Sequence, residues 1–242
     1  MIRSGNPALK GEIFSGARAA GGENAMTIQG TANKTFVLLG LAMLTAFWAW
    51  GNPQVAMPLL LPAVIIGLIV AVTTAFKKEW APITAPVYAA LEGIVLGAIS
   101  LVFEKSYPGI VKQAIALTFG VLFSLLIAYK SRIIKPTENF KLGIFAATGG
   151  IALFYLVSMV ASFFGARFSI IYGNSFMAIG FSVFVVIIAA LNLVMDFDFI
   201  EKGAEHSAPK YMEWYGAFGL IVTLVWLYLE ILRLLAKLQS RR

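Results

Sequence analysis

Seven long apolar runs leave this chain few ways to fold. Each is close to the roughly 20 mostly apolar residues that a helix needs to cross a bilayer. They lie at about Thr35–Trp50, Val55–Phe76, Ile83–Phe103, Ile110–Tyr129, Leu142–Phe164, Asn174–Met195 and Tyr215–Ala236. The intervals between them are short and leave no room for a soluble domain. The expected fold is therefore all-α: a polytopic membrane bundle of seven transmembrane helices over residues 35–238. Composition agrees, with 60% apolar and 13% charged residues, against about 45–50% and about 25% in an average soluble domain. Residues 1–34 contain no continuous apolar core of the kind a signal peptide carries. Their Gly, Ala, Asn and scattered charges read as a flexible or surface-lying polar tail, with an interfacial helix about Ala8–Phe14 as the alternative.

The net charge of +7 is spread over short loops. That is how cytoplasmic loops of membrane proteins look, so no nucleic-acid partner is expected. With the N-terminus inside, the inner loops carry Arg3, Lys10, Arg18, Lys34, Lys77, Lys78, Lys130, Arg132, Lys135, Lys141, Lys202 and Lys210. The outer loops carry Lys105, Lys112 and Arg167. This bias favours a cytoplasmic N-terminus. Arg233, Lys237, Arg241 and Arg242 then fall outside, so the last span either crosses against the rule or stops short; a full crossing is favoured. Trp48, Trp50, Trp80, Trp214 and Tyr215 stand near span ends, as interfacial aromatics do. Gly93-Ile-Val-Leu-Gly97 reads as a small-xxx-small contact between helices, or as the ordinary frequency of Gly in membrane helices. Pro136 and Thr137 interrupt the fourth–fifth loop and are expected to end a helix.

There are no cysteines, which excludes disulfides, thiolate metal sites and Cys nucleophiles. The single histidine, His206, excludes a His-based metal cluster within one chain. No nucleophile–base pair or phosphate loop marks an enzyme, so neither catalysis nor a cofactor is expected.

Polar groups in lipid are costly and usually functional, which singles out a few acids. Glu92 lies near the middle of the third span, either hydrogen-bonded to a neighbouring helix or lining a water-filled cavity. Asp196 and Asp198 close the sixth span in LNLVMDFDFIEKG. Two residues apart on a helix, they point about 200° apart. Asp196 is the inward choice, and Asp198, with Glu201 and Lys202 at i+3 and i+4, looks like a solvated helix end. Glu230, in WLYLEILRLL, lies in the second half of the last span, with Trp226 at i−4 and Arg233 at i+3. It forms either an ion pair with Arg233 near the span end or a pair with Asp196 across two helices. Spacing alone does not bring Asp196 and Glu230 together, since a straight pairing sets Glu230 well above Asp196.

The order of these features resembles the Bax inhibitor-1, or transmembrane Bax inhibitor motif, family in its bacterial branch. The resemblance rests on seven spans after a polar tail, on LVMD with Asp196 closing the sixth, and on LYLE with Glu230 in the seventh. The typical family block there is LYLD, then an aromatic or aliphatic residue and IN. Asn6–Leu9 (NPAL) and APKYMEWYGAFGL look like one bacterial subgroup. The resemblance implies a bundle with its last helix central, and the two acids facing each other inside it. It implies an integral protein of a bacterial inner membrane and a pH-sensitive calcium leak with the acid pair as sensor. It also implies a basic residue at the cytoplasmic end of the second span that contacts the first acid; Lys77 or Lys78 fills that place. The family usually has Arg there, which grips carboxylates in bidentate fashion as Lys does not. Glu230 in place of Asp and a longer sixth–seventh loop are departures.

On this reading Asp196 and Glu230 share one proton, because two close carboxylates cannot easily both ionise. When both ionise, repulsion loosens the two helices and offers oxygens to a transient calcium ion. Lipid, protons and calcium are the expected partners. The alternative is a non-conducting membrane regulator that binds a membrane protease or stress-response partner, with the acids structural. A proton-coupled transporter is disfavoured, because no pair of broken spans repeats in two halves.

Overall fold

The computed structural model describes residues 24–165 and 168–241. The rest of the tail, with the alternative helix about Ala8–Phe14, lies outside the described residues. Within them the chain is helical, in the order α1 (Ile28–Gly51), α2 (Pro53–Phe76), a 3-10 turn (Lys78–Trp80), α3 (Ala81–Ser106), α4 (Ile110–Lys130), α5 (Glu138–Phe163), the short α6 (Ser169–Tyr172), α7 (Phe176–Glu205) and α8 (Met212–Gln239). All but α6 are long and apolar enough to cross a membrane, which gives the seven expected spans. In α8, 61% of the apolar window is buried, against 17–39% in the others.

Several boundaries move for local reasons. α1 begins at Ile28, within the stretch assigned to the polar tail, because Thr27 caps it by accepting from the Gly30 amide. Thr137 likewise accepts from the Phe140 amide at 3.3 Å and caps α5. Pro136 and Thr137 thus open a helix rather than ending one; α4 has already stopped at Lys130. α7 runs on to Glu205, so Asp196 and Asp198 lie inside the helix and not at its end.

The chain divides into two compact units. The first holds the described residues up to Leu101 and Asp196–Val222. Here α3 meets α1 at very close range. A Cβ on Gly93 would overlap the Ala42 carbonyl and the Thr45 hydroxyl, and one on Gly97 would overlap the Ala46 carbonyl. The small-xxx-small motif is therefore a packing site. Ala49, Ala56 and Ala98 continue the seam, flanked by Met57, Leu60 and Ile94. The Thr74 and Thr84 hydroxyls, 2.7 Å apart, tie α2 to α3, and Tyr88 meets Phe218 edge-on at 5.0 Å.

The second unit holds Val102–Met195 and Thr223 onward. Ile144 and Ile151 of α5 pack on Val185 and Ile188 of α7, with Tyr155, Phe181 and Trp226 around them. Asn192 donates to Thr148 at 2.8 Å, a polar link between the same two helices. Glu104 accepts from the Gly109 and Val111 amides at 2.7 and 3.1 Å, which satisfies the start of α4.

Candidate functional site

The second half of α8 carries three charges in the second unit: Glu230, Arg233 and Lys237, at i, i+3 and i+7 and so along one face. Glu230 is 2% exposed. The Arg233 Nη1 donates to both its oxygens, at 3.0 and 3.1 Å. The Tyr155 hydroxyl of α5 donates to Oε1 at 3.0 Å and accepts from Arg233 at 2.8 Å. The guanidinium also lies over the Tyr155 ring, 5.3 Å from its centroid. Every member of this triad thus holds both others. An isolated carboxylate in hydrocarbon is costly; here the charge is matched and both oxygens are occupied. The Arg233 side chain stays 36% exposed, so the triad links a buried acid to the edge of the fold.

The sequence-level ion pair between Glu230 and Arg233 is present. Tyr155 was not singled out. Its signal was faint: one phenol inside LFYLV, where an apolar run gains a polar tip. Lys237, counted among the outer charges on its position, is 7% exposed and bound by neutral oxygens. Ser158, one turn beyond Tyr155, buries a hydroxyl for which no described residue provides a hydrogen bond.

Asp196 belongs to the first unit and Glu230 to the second. Asp196 is half-buried and directs Oδ1 at Gly219 of α8, where a Cβ would stand 3.6 Å away. Asp198, expected as a solvated end, is buried at 8% exposure and accepts from Lys202 at 2.8 Å. The i+4 lysine makes that burial tolerable by supplying the opposite charge. Glu92 is hydrogen-bonded to Tyr88 of its own helix and faces Gly67 of α2, where a Cβ would lie 3.8 Å from its Oε1. Lys78 lies over the Tyr215 ring, 5.5 Å from its centroid, while Lys77 is exposed at the end of α2. Among the described residues no three His, Cys, Asp or Glu side chains form a group able to hold a metal ion.

The first unit also holds an acid that the apolar pattern of the sequence does not single out. Glu213, in the first turn of α8, is fully buried. It accepts from the Thr27 amide at 2.9 Å, the Thr27 hydroxyl at 2.8 Å and Lys210 at 3.1 Å, and it pairs with Lys34. Gly30 makes room for it, since a Cβ there would overlap the carboxylate. The Met26 amide donates to the Ala208 carbonyl at 2.6 Å beside this clasp. Outside the spans, burial and the nearby Glu79 raise the pKa of the Tyr211 phenol above its ordinary value.

Seven apolar helices of spanning length, with matched charges buried inside them, define a polytopic helical membrane protein. A family model described as Bax inhibitor 1 like matches residues 6–240, and the chain belongs to that family. Neither the curated proteins nor the solved structures gave a match.

Proposed function

We propose that the protein is a pH-sensitive calcium leak whose passage depends on the ionisation of Asp196 and Glu230. The observation that carries the reading is the Glu230 triad: an acid 2% exposed, on the most buried span, held by one guanidinium and one phenol. Protonation of Glu230 takes away the negative charge that holds Arg233. The neutral acid keeps a hydrogen bond to Tyr155 but no longer balances the guanidinium, so the tie between α5 and α8 loosens. Carboxylate oxygens are hard donors, the type that calcium takes, and those of Glu230 are offered to it only when Arg233 turns aside. Family membership supports the reading, since the resemblance implies an acid pair as sensor. The resemblance names Asp196 as the second acid and Lys77 or Lys78 as its basic partner.

The regulator reading draws on the same triad. Arg233 already neutralises Glu230, and it stands where the family block has Asn. A matched ion pair of this kind serves a structural role as readily as a permeation role.

The test is calcium flux into liposomes carrying the purified protein, scanned over pH, for wild type, Asp196→Asn and Glu230→Gln. The leak reading expects a pH-dependent flux that loses its pH response in both variants. No flux above empty liposomes at any pH sinks it and leaves the regulator, to be pursued by isolating a membrane partner from the intact membrane.

A further inference from the structure

Lys237 ends the charged face of α8 in an arrangement unlike that of the other charges there. Its ammonium is buried, and among the described residues its hydrogen-bonding acceptors include no carboxylate. It donates to the Ser182 hydroxyl at 2.9 Å, the Ala178 carbonyl at 3.1 Å and the Ile170 carbonyl at 3.3 Å. Ser182 and Ala178 are themselves 1% and 0% exposed. Three donors thus meet three acceptors, and the hydrogen-bonding capacity of the ammonium is filled. Two of the acceptors lie on α7, one turn apart, and the third on the short α6. The cradle is therefore built from the segment that joins α5 to α7 and from the first turns of α7. Asn174, in the same segment, reaches Ser240 at 3.5 Å.

A buried charge normally takes an opposite charge as partner. Here the ligands are neutral oxygens, two of them backbone carbonyls. Carbonyl oxygens that replace a hydration shell are the way proteins hold small monovalent cations. With no carboxylate among the ligands, a divalent ion would remain largely uncompensated, whereas a single positive charge is what the cradle already accepts. We propose that Lys237 is a tethered cation, filling an oxygen-lined site whose vacated form takes a small monovalent cation, ammonium or potassium. The inference stands on this cradle alone and is independent of the calcium leak. Its consequence is that the side chain of α8 itself occupies the one place in this cradle where a mobile cation would rest.

The experiment is thermal unfolding of full-length Lys237→Ala in detergent, in choline, potassium or ammonium chloride at equal ionic strength. The variant should melt below wild type in choline and recover in potassium and ammonium, by about 3 °C at concentrations well above the dissociation constant. Wild type, with its site filled, should melt alike in all three salts. Lys237→Ala/Ser182→Ala should lose the selective recovery. If Lys237→Ala aggregates in choline, the same comparison is read as the yield of monodisperse protein extracted in each salt. Equal melting or equal yield of Lys237→Ala in all three salts overturns the proposal. A selective recovery that survives Ser182→Ala, or that wild type shares, also overturns it.

Discussion

Removing Arg233 while leaving Glu230 in place should cost more than removing both. In Arg233→Met the apolar stem is roughly kept, but Glu230, 2% exposed, loses the donor that touches both its oxygens. Breaking a buried pair from one side costs about 3–5 kcal/mol. The guanidinium side chain is 36% exposed, so solvent and headgroups already screen part of the attraction. The expected loss is then about 2–4 kcal/mol. In Glu230→Gln the amide still bonds to Tyr155, and Arg233 can turn outward. The double variant Glu230→Gln/Arg233→Met buries no charge at this place. Its loss of stability should fall short of the sum of the two single losses by about 1–3 kcal/mol, the coupling found between residues in one network. The assay is reversible unfolding of the four proteins in mixed micelles, followed by Trp fluorescence and read as a double-mutant cycle. A coupling below about 0.5 kcal/mol would refute the view that the triad is a mutually dependent unit.

Three further outcomes follow from named contacts. Tyr155→Phe keeps the ring against Phe181 but loses its bonds to Glu230 and Arg233; it should cost about 1–2 kcal/mol in the same unfolding assay. Glu213→Gln should release the start of α1 from Lys34 and Lys210, read as at least tenfold faster amide exchange at residues 28–31, equivalent to about 1.4 kcal/mol of lost protection. Gly93→Leu drives a side chain into the Ala42 carbonyl and should destabilise by about 1–3 kcal/mol, whereas Ser158→Ala, which removes a buried hydroxyl without a hydrogen-bond partner among the described residues, should be neutral within about 0.5 kcal/mol or slightly stabilising.

What the sequence made legible follows the apolar pattern. The seven spans, the Gly93–Gly97 seam and the oddity of Glu230 all register as violations or repeats within apolar runs. The i+3 pair with Arg233 is local and could be read from spacing. What escaped depends on tertiary partners. Counting Lys and Arg as solvated loop charges put Lys34, Lys210 and Lys237 outside the fold, yet Lys34 and Lys210 pair with the buried Glu213 and Lys237 sits in a cradle of neutral oxygens. The same habit made Asp198 a surface charge, although Lys202 supports its burial. The start of α1 was missed because IQGTANK is polar; its helix is held by a cap and by a carboxylate far along the chain, neither of which leaves an apolar period.

The clasp at Glu213 carries a consequence for biosynthesis. Thr27 and Glu213 are 186 residues apart. At about 5–20 residues per second, a ribosome needs roughly 10–40 s to make the second partner after the first. For that interval the amide and hydroxyl of Thr27 and the ammonium of Lys34 must find water or lipid headgroups. The opening turn of the first helix is thus among the last places to acquire its native contacts, and the arrival of α8 serves as the closing signal for a segment emerging near the start of synthesis.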